Sequence, residues 1–171
     1  MKSIIKMTLA ELEDYVASYG PTAEWTTISM NPNLSEAFIE RYADKVDWNW
    51  ISEYQKLSEN FIERHTNKVD WYWISEYQKL SETFIEKHAD KVYWDWISKY
   101  QKLSEVFIER HADKVNWEYV SMYQKLSEEF IERYADEIKW DWYRISEYQK
   151  LSESFIEKHA GEVNWGCISE C

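Results

Sequence analysis

The chain has 171 residues, 44% of them hydrophobic and 18% aromatic, which excludes a disordered chain and suits a domain with a buried core. Its 32 Asp and Glu against 20 Lys and Arg leave a net charge of -12. That sign argues against direct binding to nucleic acid or to an anionic membrane, and favours a protein partner with a basic surface.

The first segment, "MKSIIKMTLAELEDYV", lacks the apolar core of a signal peptide, and no window approaches the roughly 18 apolar residues of a membrane span. The expectation is a cytoplasmic protein, of its own cell or of an infected host cell. Within residues 1–24, Thr8 and Glu11 stand at capping-box spacing, Leu9, Leu12 and Val16 share one face, and Gly20 and Pro21 form a stop. This segment is predicted to be an N-terminal capping helix and turn.

Residues 25–171 are predicted to be tandem repeats in one continuous domain. "WISEYQKLSE" occurs at 50–59 and again at 73–82, and rows beginning at Leu34, Leu57, Leu80, Leu103, Leu126 and Leu151 align at a period of 23 residues. One row has 25, with Tyr143 and Arg144 taken as the extra pair. No Gly or Pro falls between Asn33 and Ala160, yet a continuous helix fails. At about 100° per residue each row would rotate the apolar stripe by about 140°, so the helix must break within every row.

Two start signals recur. Ser35 is an N-cap candidate flanked by Leu34 and Ile39, and Asp47 repeats the device with Val46 and Ile51. The offsets return as Leu57/Ser58/Ile62 with Val69/Asp70/Ile74, and as Leu103/Ser104/Ile108 with Val115/Asn116/Val120. Each row therefore holds two short helices. On a helical wheel the first gathers Phe38, Ile39, Tyr42, Ala43 and Val46 opposite Glu36, Glu40, Arg41, Asp44 and Lys45. The second gathers Trp48, Trp50, Ile51 and Tyr54 opposite Asn49, Ser52, Glu53 and Lys56.

The apolar side chains of one row cannot offset the ordering entropy of that row alone, so neighbouring rows must share a core. The predicted fold is all-α, an α-solenoid of about six helix-pair repeats of 23 residues with an N-terminal capping helix. The last row, with Gly166, Cys167 and Cys171, is predicted to end in a short helix.

At "WTTISMNPNLSEAFIE" (25–40) and "WDWYRIS" (140–146) the chain resembles the tryptophan-rich repeats of giant viruses, phages and some bacteria. Trp25, Ile28, Ser29, Asn31, Pro32, Asn33 and Leu34 match the recurring phrase W-x-x-I-S-x-N-P-N-L, while later rows carry Y-Q-K in place of N-P-N. The resemblance spans roughly residues 25–171. It implies a short-helix repeat of viral or mobile-element character and brings no catalytic residue with it.

His65, His88, His111 and His159 share a slot filled elsewhere by Tyr42 and Tyr134, which fits a half-buried ring better than a metal ligand. Cys167 and Cys171 with His159 would supply three soft ligands and no fourth. The 11 Trp fit a core better than a stacking ladder, with Trp25 and Trp165 as the exposed exceptions. No cofactor is indicated, and no P-loop, nucleophile elbow or metalloprotease motif is present, so a non-enzymatic protein is expected.

The carboxylates form stripes at i, i+4 and i+8: Glu36, Glu40 and Asp44; Glu82, Glu86 and Asp90; Glu105, Glu109 and Asp113; Glu128, Glu132 and Asp136. Like charges at that spacing need compensation. One source is a ladder to the basic stripe of the next row (Arg41/Lys45, Arg64/Lys68, Lys87/Lys91, Arg110/Lys114). The other is a partner. These twelve residues are the candidate partner-binding set of an extended acidic helical surface. The alternative function is a viral or phage inhibitor that mimics nucleic acid and blocks a host defence nuclease or another nucleic-acid-handling protein.

Overall fold

The computed structural model describes residues 3–135 and 140–169. Among them there are fourteen α-helices, two 3-10 turns and no strand. Helix pairs follow one another at the 23-residue period, giving the all-α solenoid architecture expected from the repeats.

The residues fall into two compact units, Met1–Leu80 and Ser81–Cys171. The first holds α1 (Leu9–Tyr19), α2 (Trp25–Ser29), α3 (Glu36–Arg41), α4 (Trp48–Tyr54), α5 (Glu59–Arg64) and α6 (Trp71–Tyr77). The second holds α7 (Glu82–Lys87), α8 (Trp94–Tyr100), α9 (Glu105–Arg110), α10 (Trp117–Tyr123), α11 (Glu128–Arg133), α12 (Trp142–Tyr148), α13 (Glu153–Lys158) and the four-residue α14 (Trp165–Ile168). In the first unit α2 packs on α4 and α4 on α6; in the second, α8, α10, α12 and α14 pack in succession.

The helices are short because each is closed at both ends by its own sequence. Ser35, Ser58, Ser104, Ser127 and Ser152 each accept, through Oγ, the amide three residues on at 3.1–3.2 Å. After six helical residues the chain leaves the helix at Tyr42 or His65 (φ -116° and -115°) and closes a turn, with Val46 N donating to Tyr42 O at 3.0 Å and Val69 N to His65 O at 3.1 Å. The residue after that turn caps the second helix. Asp47 and Asp70 accept the amide two residues on, and Asn116, Asp141 and Asn164 the amide three on. Of the flanking residues expected as staples, Val46, Leu57, Val69, Leu103 and Val115 are buried and Leu34 is half-buried.

The N-terminal helix follows its prediction. Thr8 and Glu11 exchange both bonds of a capping box, Thr8 N to Glu11 Oε2 at 2.7 Å and Glu11 N to Thr8 Oγ1 at 3.3 Å. Gly20 ends α1 at φ +52°, a conformation that favours glycine. Leu12 and Val16 join Met7, Ala23, Ile28 and Phe38 in one core.

The 25-residue row corrects the placement of its extra pair. Tyr143 and Arg144 lie inside α12, which has the same seven residues as α4, α6, α8 and α10 and is capped by Asp141. The two additional residues therefore lie between Ala135 and Trp140. Trp140 takes the slot of Val46, is buried at 5% exposure and donates its indole N–H to Ile131 O at 3.0 Å. Its ring meets Trp117 edge-on at 5.2 Å. The motif Trp140-Asp141-Trp142 resembles Trp48-Asn49-Trp50, so matching letters alone starts the second helix of this row two residues too early.

Within each unit, two buried polar devices bind a row to the one before. The first is the serine of "WISEY". Ser29, Ser52, Ser98 and Ser146 donate Oγ–H to the Trp carbonyl four residues back at 2.7 Å. The same oxygens accept the N-cap amides of the next row, Asp47, Asp70, Asn116 and Asn164, at 2.8–2.9 Å. The second is the glutamine of "YQK". Gln124 Nε2 donates to Ser98 O at 2.7 Å and Gln101 O at 2.8 Å, while its Oε1 accepts Leu103 N at 3.0 Å. Gln149 repeats the pattern on Ser121 O, Gln124 O and Leu126 N, and Gln78 on Ser52 O, Gln55 O and Leu57 N.

The N-P-N of the opening row performs the same task one residue earlier. Fully buried Asn31 donates to Ile4 O at 2.6 Å and Met7 O at 2.9 Å, and Asn33 Nδ2 also reaches Met7 O at 3.0 Å. Gln55 in turn donates to Asn31 O at 2.8 Å.

Replacing Gln124 by Leu leaves the Leu103 amide and two carbonyls without this partner in a buried setting. We expect a loss of about 3 kcal/mol in urea unfolding. Lys125→Ala, on an exposed neighbour, should stay within about 0.5 kcal/mol of the parent.

Candidate partner-binding surface

The carboxylate stripes divide into three classes by position. The first members sit in the opening turn of the first helix of each row, and each reaches forward to the N-cap serine of the following row. Ser58 N donates to Glu36 Oε1 at 2.6 Å and Ser127 N to Glu105 Oε1 at 2.5 Å. Glu82 and Glu128 accept both the amide and the hydroxyl of Ser104 and Ser152, the hydroxyls at 3.1 and 3.0 Å.

The second members pair with cations of the next row: Glu40 with Arg64 at 3.2 Å, Glu86 with Arg110 at 3.0 Å, Glu109 with Arg133 at 3.9 Å and Glu132 with Lys158 at 2.7 Å. Glu13 of α1 opens this series by pairing with Arg41 at 3.3 Å. The third members, Asp44, Asp90 and Asp113, are exposed and make no side-chain hydrogen bond or ion pair among the described residues. Asp136 lies outside the described residues. The ladder to the next row thus absorbs two carboxylates of every stripe, and the surface available to a partner is smaller than the full set of twelve.

The basic stripe divides too. Lys45, Lys68 and Lys114 lie over the rings of Trp25, Trp48 and Trp94, 5.5–5.7 Å from the centroids. Each lysine therefore covers an indole of the preceding row.

The histidine slot is a packing position with a polar edge. His65 packs at a tilt between Phe61 (4.6 Å) and Trp48 (4.7 Å), and His111 between Phe107 (4.5 Å) and Trp94 (4.9 Å). His65 Nε2 donates to the Glu40 carboxylate at 3.0 Å. That bond, with Arg64 beside it, holds the Glu40 carboxyl below its usual range, and Lys158 does the same for Glu132. His111 Nε2 is buried without a hydrogen-bond partner; burial first, and Lys114 second, push its imidazole toward the neutral form.

The second helices present an aromatic face that the wheel had assigned to the core. Pairs recur as Trp50/Tyr54 (5.7 Å), Trp73/Tyr77 (5.7 Å), Trp96/Tyr100 (5.8 Å) and Tyr119/Tyr123 (6.1 Å). The tyrosines Tyr54, Tyr77, Tyr100, Tyr123 and Tyr148 are 46–53% exposed, whereas Ser52, placed on the polar side, is fully buried. The seam is rotated because a second helix inside a unit, such as α4 or α10, has a row on either side. The close approach falls at the small serine, which must reach the next N-cap, and this turns the tyrosine outward. Trp165 is exposed as expected, and Trp25 is half-buried.

Each unit has a cleft beside its second helices. One of about 300 Å³ lies between the ends of α10 and α12, beside Tyr123, Lys125, Tyr148 and Lys150. The other, of about 260 Å³, lies between α4 and α6 and is lined by Asn49, Trp50, Glu53, Asp70 and Trp73. Cys167 is a half-buried free thiol, and Cys171 lies outside the described residues. Among the described residues no three His, Cys, Asp or Glu gather as a metal site, and no helix is long and apolar enough to cross a membrane.

Stability should fall with acid in two stages. The unfolded chain takes up protons at His111 near pH ~6.5, where the folded state resists them, so stability present at neutral pH drops as pH falls through that value. Glu40 and Glu132 stabilise the folded state above their ordinary value of 4.5, and that contribution disappears as pH falls through their lowered folded values. Thermal melts followed by circular dichroism from pH 8 to 3 should show both stages. His111→Tyr, which installs the residue used in this slot at Tyr42 and Tyr134, should flatten the upper one, and Glu132→Gln should shrink the lower.

Comparison with known proteins adds no relative to these geometries: no family model, no curated protein and no solved structure matches the chain.

Proposed function

We propose that this chain is a non-enzymatic repeat module that binds a partner protein, and that within each unit the contact is made by the exposed tyrosines of its second helices, with Asp44 in the first unit and Asp90 and Asp113 in the second adding acidic contacts. The observation that carries the reading is the half-exposed tyrosine repeated at Tyr54, Tyr77, Tyr100, Tyr123 and Tyr148. Its neighbours Ser and Gln are consumed by bonds between rows, whereas the tyrosine ring is held outward. Tyrosine combines a large apolar area with a polar tip and few rotamers, which suits it to protein interfaces.

The acidic balance of the chain favours a basic partner surface, because complementary charge steers the encounter and disfavours partners of like sign. The nucleic-acid-mimic reading has less to draw on: Glu36, Glu82, Glu105 and Glu128 are turned to serine N-caps of the following row, and Glu40, Glu86, Glu109 and Glu132 to its cations. Kinship with the tryptophan-rich repeat proteins belongs to the same proposal and supplies its viral or mobile-element setting.

Affinity capture from a host lysate, quantified for the parent, for Tyr123→Ser with Tyr148→Ser, and for Asp44→Lys with Asp90→Lys and Asp113→Lys, tests the proposal. The parent should enrich a basic protein at low salt. The tyrosine variant should bind it about tenfold or more weakly, as expected when interface rings are truncated, with unchanged helicity. The lysine variant should lose most of its salt-sensitive component. Equal recovery by all three proteins would remove the proposed face from consideration.

A further inference from the structure

The second helices of the two units use the same ring geometry around opposite charges. In the second unit, Lys99 on α8 projects among four rings, with its Nζ 5.6 Å from Trp96, 4.8 Å from Tyr100, 5.6 Å from Tyr119 and 5.7 Å from Tyr123. An ammonium at such distances is attracted by the negative faces of the rings. The chain therefore carries its own example of a cation held between the aromatic pairs of two consecutive second helices.

In the first unit the same positions on α4 and α6 are Trp50, Tyr54, Trp73 and Tyr77, but the place of Lys99 is taken by Glu53. The N-cap position of the following helix, Asn116 in the second unit, is Asp70 in the first. Asn116 is bonded to Asp95 at 2.8 Å, so the second unit balances its lysine with one acid. The first unit sets two acids beside its rings. The cleft of about 260 Å³ lies here, bounded by the Trp50 and Trp73 indoles, the Glu53 and Asp70 carboxylates and Asn49. One oxygen of Asp70 accepts Tyr72 N at 2.9 Å, and among the described residues neither this carboxylate nor that of Glu53 has a cationic partner.

We propose that this cleft is a binding site for a lysine or arginine side chain presented by a partner protein. The occupant is a cation because the indole faces and both carboxylates favour positive charge. It is an organic cation on an apolar stem because the walls are mainly ring surface, against which methylene groups pack. The proposal rests on the protein-binding reading and names the chemistry of one contact within it.

Titration of the full chain with N-acetyl-lysine N-methylamide, and separately with the arginine and norleucine counterparts, followed by the indole N–H resonances, tests the site. The lysine and arginine probes should shift the Trp50 and Trp73 signals saturably and leave Trp25 unmoved; the neutral norleucine probe should not shift them. Glu53→Lys, which copies the residue at position 99, should supply an internal cation and weaken probe binding about tenfold or more. Glu53→Gln, which keeps the size of the side chain, should weaken it in the same direction. Lys99→Glu should open a second site, read as new shifts at Trp96.

Equal response to norleucine, or lysine binding unchanged in Glu53→Gln, would overturn the proposal. Partner capture by Glu53→Lys separates the two readings. Capture that still depends on Tyr123 and Tyr148 after the probe has failed would leave the binding module standing without this pocket, whereas capture insensitive to those tyrosines would remove the module reading itself.

Discussion

A helix of six or seven residues is almost entirely ends. Its first four amides and last four carbonyls have no partner along the helix, which for α3 or α4 is most of the backbone. Burying such ends without partners is costly, and neither helix of a row can supply them all from within. The serine and glutamine of "WISEYQK" meet this constraint. Ser52 Oγ takes the amide that opens the next second helix, and the Gln78 side chain closes the end of the previous one while holding the Leu57 amide. Every bond of this kind requires a neighbouring row of the same build. That is a physical reason for copies that agree to the letter at these positions and differ at Ala37, Asn60, Thr83, Val106, Glu129 and Ser154.

The same constraint explains why charge is spent inside the stack. A capping serine leaves its own backbone amide without a helical acceptor, and Glu36, Glu82, Glu105 and Glu128 accept that amide from the preceding row. The next acid in each stripe neutralises a cation that ends the following first helix, where a positive side chain suits the helix dipole. Each such surface pair contributes little by itself. Repeated at one offset, the pairs favour the register already fixed by the buried amides.

What could be read in the sequence was what is local. The breaks and the caps depend on residues within five positions of one another, so Ser35, Asp47, Thr8 and Gly20 were identifiable as punctuation, and the period showed in the copied letters themselves. What could not be read depends on residues a full row apart. Gln55 looks like an ordinary polar residue until Ser29 O and Asn31 O are brought to its amide. Ser52 and Tyr54 exchanged their expected environments because a wheel supposes one buried side, whereas a helix inside a stack has two neighbours. The carboxylates looked alike along each stripe, and only the following row distinguishes Glu36 and Glu40 from Asp44. The extra pair of residues was misplaced for a related reason: Trp140 and Trp142 are equally good letters, and burial in the slot of Val46 decides between them.

Because the frame is carried by so few residues, other positions can change without disturbing it. The sixth residue of the second helix is Glu53, Glu76, Lys99, Met122 and Glu147 in successive rows. It lies between the buried serine and the outward tyrosine, beside rings that recur from row to row, and it takes no part in the serine and glutamine bonds. Changing it alters the charge of an aromatic surface while the stack beneath keeps its register. A repeat protein built this way can vary its recognition one row at a time, since the groups that hold the rows together and the groups that face outward occupy adjacent letters of the same phrase.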